Sequence, residues 1–81
     1  MLNVYIADDE DIVRDGLKNI IDWSSLNFSL CGEAGDGETA LNDILLLQPD
    51  LVLLDIRMPK LHGLELAAIA REKGFKGRII I

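Results

Sequence analysis

The chain has 81 residues, 8 of them basic and 14 acidic, which gives a net charge of −6, and 49% of the residues are apolar. These values describe one small acidic domain with the material for a core, and they exclude a multi-domain protein or a disordered acidic tail. A single cysteine, Cys31, excludes a disulfide framework or a Cys-rich zinc site within the chain and suits a reducing compartment. No apolar run approaches the roughly 18 residues of a membrane span, and Met1 to Ala7 has no basic region before Asp8, so the expectation is a cytoplasmic protein without a membrane partner.

Apolar periodicity switches between two and 3.6 along the chain and predicts the order β, α, β, α, β, α, β. Asn3 to Ala7 reads as a strand. A helix follows from about Asp11 to Ile21, with Ile12, Val13, Leu17, Ile20 and Ile21 on one face and the Asp cluster before it available as a cap. Phe28 to Ala34 is a weaker strand, and Gly35-Asp36-Gly37 turns into a helix from about Glu38 to Leu47, stopped by Pro49. Leu51 to Leu54 is a continuous apolar run, as expected of a strand covered on both faces. After the loop Ile56 to His62, a helix runs from about Gly63 to Lys73, and Arg78 to Ile81 opens a further strand. Strands and helices alternating through short loops predict an α/β fold, a doubly wound parallel sheet with helices on both faces. In such a sheet a site forms outside the carboxyl ends of the strands, where the strand order reverses.

Charge is unevenly spread. Residues 1–40 carry nine acids and two bases, for −7, and residues 41–81 carry five acids and six bases, for +1. The bases Arg71, Lys73, Lys76 and Arg78 have no interleaved aromatic beyond Phe75 and read as a solvated helix end, which argues against nucleic-acid binding by this chain. The acids matter more. The first strand ends in Asp8-Asp9-Glu10-Asp11 and the strand LVLL ends in Asp55. Alone, the first cluster would complement a helix dipole and Asp55 would be a turn residue. Placed together on neighbouring strand ends they repel, by about 4 kcal/mol for two charges about 4 Å apart at an effective dielectric of 20. Protons or a cation must relieve that, and oxygen ligands without His or Cys point to Mg²⁺ or Mn²⁺, which recruits phosphate. A carboxylate beside such an ion can itself become an aspartyl-phosphate.

IADDE, LVLLDIRMP and HGLEL resemble the acidic pair, the phosphoacceptor and the following loop of the receiver domains of two-component response regulators, and the similarity covers the whole chain. IIDW with GEAGDGETAL further resembles receivers attached to AraC-type DNA-binding regions. The resemblance implies a flavodoxin-like fold with strand order 2-1-3-4-5 in the full domain and phosphoryl transfer from a histidine kinase to Asp55. It implies that Asp9 binds Mg²⁺ directly, Asp8 mainly through water, and Arg57 through its backbone carbonyl, with Asp55 completing the set. Receivers also carry a Ser or Thr at the end of the fourth strand and a Lys at the end of the fifth. Neither occurs before Ile81, so the expectation is a receiver at residues 1–81 truncated within its fourth strand, without an effector domain and prone to self-association.

Two other classes compete. Gly35, Gly37 and Ala40 fit G-x-G-x-x-A with Asp55 twenty residues after Gly35, the fingerprint of a dinucleotide-binding domain, although Glu33 and Asp36 would place negative charge beside a pyrophosphate. An aspartyl-nucleophile hydrolase needs an acid two residues after the nucleophile, where this chain has Arg57, so the expectation is no enzymatic turnover. His62 reads as a loop histidine, Cys31 as a small strand residue, and Trp23 as the anchor of its loop.

Overall fold

The computed structural model describes all residues from Met1 to Ile81. Strand β1 (Leu2–Ala7) leads to α1 (Asp11–Ile20), a 3-10 turn (Ser24–Leu26), β2 (Phe28–Ala34), α2 (Gly37–Leu47), β3 (Leu51–Leu54), α3 (Gly63–Glu72) and β4 (Arg78–Ile80). Helix and strand ends lie within a residue or so of those predicted, and only the 3-10 turn is an element the periodicity does not reveal.

All strand pairs are parallel, in the order β2-β1-β3-β4. The chain moves one way from β1 to β2 and the other way from β2 to β3 and β4. Right-handed crossovers therefore place α1 on one face of the sheet and α2 and α3 on the opposite face. The reversal falls at β1, whose neighbours are β2 and β3. Beside β2 the register slips between Val4 and Tyr5, where Val4 pairs with Leu30 and Tyr5 with Gly32. Glycine at 32 leaves room for the Tyr5 ring, since a Cβ there would stand 3.0 Å from the ring edge.

The main core cluster lies under α2 and α3, while Val4 and Ile6 are buried on the opposite face of β1. Tyr5 and Ala7 from β1 and Val52 and Leu54 from β3 pack with Ala40 and Ile44 of α2, Leu66 and Ala70 of α3, Met58 and Phe75. The Tyr5 hydroxyl donates to Asp43 Oδ2 at 2.6 Å, which ties β1 to α2. Burial, then the bond to Asp43, pushes the Tyr5 pKa far up, so the phenol stays a neutral donor.

Three expectations change. Val52 and Leu54 are buried but Leu51 and Leu53 only half-buried, so β3 is covered fully on one face alone. The apolar stripe of α1 is not buried either: Ile12 and Ile20 are both 85% exposed and no α1 residue is fully buried, because one helix covers this face where two cover the other. The Asp cluster does not cap α1. Glu10 is the N-cap and makes no side-chain cap bond, while Asp8 Oδ1 accepts from the Glu10 amide at 2.9 Å. Trp23 does anchor its loop, donating Nε1 to the Leu17 carbonyl at 3.0 Å and meeting Phe28 edge-on at 6.4 Å between centroids.

Candidate functional site

Sheet hydrogen bonding continues one residue past the strands and thereby sets two acids side by side. The Asp8 amide donates to Ala34 O at 3.1 Å, and the Asp55 amide donates to Ala7 O at 2.8 Å. Asp9 follows on the turn out of β1. One carboxylate oxygen from each of Asp8, Asp9 and Asp55 lies within 4.8 Å of the others, with Asp8 and Asp55 half-buried and Asp9 exposed. Two of the carboxylates are steadied by their own loops: Asp8 accepts from the Glu10 amide, and Asp55 Oδ1 from the Arg57 amide at 3.3 Å. The Arg57 side chain is exposed, and its carbonyl accepts no hydrogen bond from the protein.

The segment after Asp55 explains its own residues. Met58 is buried in the core, and the Pro59 carbonyl accepts from the Gly37 amide at 3.0 Å. Gly63 starts α3 so close to β3 that a Cβ there would lie 2.5 Å from the Asp55 carbonyl oxygen. His62 is the N-cap of α3, with Nδ1 accepting from the Leu64 amide at 3.3 Å, and it belongs to no metal cluster. Beside Asp8 and Asp55 opens a cleft of about 710 Å³ bordered by Ile6, Leu17, Leu53, Ile80 and Arg57. Half-buried carboxylates at the mouth of an open cleft can hold a hard cation and leave one oxygen free for a phosphoryl group. Three of the four sequence-predicted site residues, Asp8, Asp9 and Asp55, come together here, and the fourth, Arg57, borders the same cleft and reaches Asp55 through its amide.

The glycine fingerprint meets a different fate. A Cβ on Gly37 would lie 2.1 Å from the Leu61 carbonyl oxygen, so the β3–α3 loop occupies the end of α2 where a pyrophosphate would sit. β1 also separates β2 from β3, which removes Asp55 from the strand beside the glycines. The geometry disfavours dinucleotide binding. The basic cluster behaves as a solvated helix end: Arg71 donates to the Phe75 carbonyl at 2.9 Å and lies 5.4 Å over its ring.

Sequence reasoning missed Arg14 and Glu33. Arg14 Nε donates to Glu33 Oε1 at 2.9 Å, and the same guanidinium reaches the Asp8 carbonyl and the Asp11 carboxylate. Lys18 Nζ lies 2.5 Å from Glu33 Oε2. The bond to Lys18, then that to Arg14, holds the Glu33 carboxyl below its usual range. The available signal was that Arg14 and Lys18, four residues apart, are the two bases among nine acids in residues 1–40.

The family model for the response regulator receiver domain matches residues 4–81. The chain belongs to this family. It is 46% identical over 66 residues to the uncharacterized transcriptional regulatory protein YesN of Bacillus subtilis, a match covering 82% of this chain and 18% of YesN. Among solved structures it is similar to the REC domain of AraT, a response regulator from Geobacillus stearothermophilus, with TM-score 0.90 and 41% identity over 96% of this chain and 60% of that one. It is also similar to a two-component transcriptional regulator AraC from Clostridium phytofermentans, with TM-score 0.84 and 34% identity over 98% of this chain and 64% of that one. The receiver thus spans under a fifth of YesN's length. Its sheet is the flavodoxin-like receiver sheet through the fourth strand, in the predicted order. No helix is long and apolar enough to cross a membrane.

Proposed function

We propose that Asp55 accepts a phosphoryl group from the phosphohistidine of a histidine kinase. One Asp55 carboxylate oxygen would bond to phosphorus as the phosphorus–nitrogen bond breaks, and the histidine leaves with its electron pair and takes up a proton. The observation that carries this reading is the meeting of Asp8, Asp9 and Asp55 within 4.8 Å, with Asp8 and Asp55 lining an open cleft. The donor set is all oxygen and fits Mg²⁺ or Mn²⁺, held by Asp9, Asp55 and the Arg57 carbonyl, with Asp8 acting mainly through water. When bound, the ion neutralises the carboxylates and the incoming phosphoryl oxygens. The chain itself supplies the nucleophile, keeps it half-exposed, and fixes it through the Arg57 amide and the Ala7 carbonyl.

In this reading the domain is a signalling module that is modified once per event, not a turnover enzyme. Resemblance to transcriptional regulators supports a DNA-binding effector as its output in a longer protein, and the half-buried, unpaired Cys31 fits a cytoplasmic location. Incubating the chain with an acyl phosphate and Mg²⁺ should add one acid-stable, base-labile phosphoryl group. The Asp55→Asn chain should take up none; undiminished labelling of that variant refutes the assignment.

A further inference from the structure

Arg14 is charged yet only 14% of its side chain is exposed. Three parts of the fold meet on it: the β1–α1 loop through the Asp8 carbonyl, the first turn of α1 through Asp11, and β2 through Glu33. Burial alone would pull its pKa down, but the bonds and charges of Glu33 and Asp11 outweigh burial and hold it protonated. Gly35, next to the end of β2, leaves the slot for the guanidinium, because a Cβ there would stand 2.9 Å from Arg14 Nη1.

A staple between α1 and β2 would need only Glu33. The contact with the Asp8 carbonyl has another consequence, because that carbonyl belongs to the peptide joining Asp8 to Asp9. Fixing this peptide fixes the directions in which both carboxylates leave the chain. We propose that Arg14 is a positioning residue of the acidic site: its guanidinium fork locks the Asp8–Asp9 peptide so that both carboxylates converge with Asp55. This rests on the reading of those acids as a Mg²⁺ site. Arg14 then acts on the metal in two opposed ways. Its charge repels a divalent cation, whereas its geometry prepares the ligands, and outer partners of this kind typically change metal affinity ten- to a hundred-fold.

The opposition makes the role measurable. Arg14→Lys keeps the charge, but a single ammonium on a flexible stem cannot replace a planar fork with acceptors in three elements. Calorimetric Mg²⁺ titration of the full chain at fixed ionic strength should show about ten-fold or weaker binding for Arg14→Lys. Gly35→Ala, which crowds Nη1 while leaving Arg14 in place, should weaken binding in the same direction and keeps the proposal testable if Arg14→Lys does not fold. In the metal-free protein, the Asp8 and Asp9 amide resonances should shift in both variants. Wild-type affinity in Arg14→Lys and Gly35→Ala would overturn the proposal. So would tighter binding in Arg14→Gln with no change in Arg14→Lys, which would mark Arg14 as a charge only. Equal losses of melting temperature in Arg14→Lys and Glu33→Gln, with metal affinity unchanged in both, would reduce it to a staple and overturn the proposal too. A wild-type chain that binds no Mg²⁺ would overturn the metal reading itself and the proposal with it.

Discussion

Helices α2 and α3 bury Gly37, Ala40, Ile44, Gly63, Leu66 and Ala70, whereas α1, of nearly the same length, buries no residue completely. What holds α1 is polar: Arg14 and Lys18 on Glu33, Arg14 on the Asp8 carbonyl, and Trp23 on the Leu17 carbonyl. Both faces of the sheet bury apolar residues, Tyr5 and Ala7 on one and Val4 and Ile6 on the other, but α2 and α3 add fully buried side chains of their own whereas α1 adds charge and hydrogen bonds at half-exposed positions. The acidic site sits where the two meet, on the ends of β1 and β3. Its scaffold on the Asp55 side is rigid by packing, through Met58 and Gly63, while its Asp8 and Asp9 side depends on directed polar contacts.

The sharpest test of this contrast is truncation on each face. Ile44 and Leu66 are fully buried, so Ile44→Ala and Leu66→Ala should each cost about 2–5 kcal/mol. That is a large share of the roughly 5–15 kcal/mol by which a domain is stable, and the variants should melt far below the wild type. Ile12→Ala and Ile20→Ala on α1 remove side chains that are already 85% exposed and should stay within about 0.5 kcal/mol in urea denaturation. A loss at Ile12 comparable with that at Leu66 would show that α1 is packed after all.

The two acids of β1 should separate next. Asp9→Ala removes the carboxylate proposed to bind metal directly, and Asp8→Ala one proposed to act mainly through water. Mg²⁺ affinity followed by calorimetry should fall by about ten-fold or more in Asp9→Ala, and by less in Asp8→Ala. Equal, normal affinities in both variants would remove the site from this end of the sheet. On the core face, Tyr5→Phe deletes one hydrogen bond without creating a cavity and leaves Asp43 half-exposed, so water can replace the lost partner. The expected cost is about 1 kcal/mol, read from the denaturation midpoint at unchanged slope.

How much of this was legible beforehand follows the same division. The core face announced itself through periodicity and β3's apolar run, since burial leaves a pattern in residue type. Asp8 and Asp9 after one strand and Asp55 after another were legible because acids at the carboxyl ends of parallel strands mark a site, whereas the neighbouring of β1 and β3 was implied by the family resemblance and not by periodicity. The glycine fingerprint misled because its spacing says nothing about what fills the space before α2; only the fold shows the Leu61 carbonyl there. Of the stripe Ile12, Val13, Leu17, Ile20 and Ile21 only Leu17 and Ile21 are even half-buried, because amphipathicity states what a helix can bury and not how closely the sheet beneath approaches it. Arg14 and Glu33 were illegible for a related reason. Their pairing spans 19 residues and depends on β2 lying beside β1, and no local rule reads such a contact.

The smallest predicted effect separates the faces most cleanly, because it uses conditions and not mutations. Glu33 has a folded pKa lowered first by Lys18 and then by Arg14. A carboxyl with a lowered folded pKa contributes stability above its unfolded value, about 4.3 for Glu, and loses it as pH falls through the folded value. Protonating Glu33 therefore removes the one β2 partner that Arg14 and Lys18 share, leaving them only partners in α1 and its loop. Asp36, lowered first by the Thr39 amide that it caps, does the same for α2 at low pH, but the apolar contacts of that helix remain. Between neutral pH and about pH 3, amide hydrogen exchange, corrected for its intrinsic pH dependence, should accelerate in α1 before it does so in α2 or α3. Raising salt at neutral pH should act on α1 in the same direction, since its ion pairs are partly exposed and screened. Glu33→Gln should abolish most of the acid response of α1 and leave that of α2 intact. Loss of protection in all three helices at one pH would mean that the ion pairs on α1 belong to the cooperative core, and the contrast between the two faces would fall.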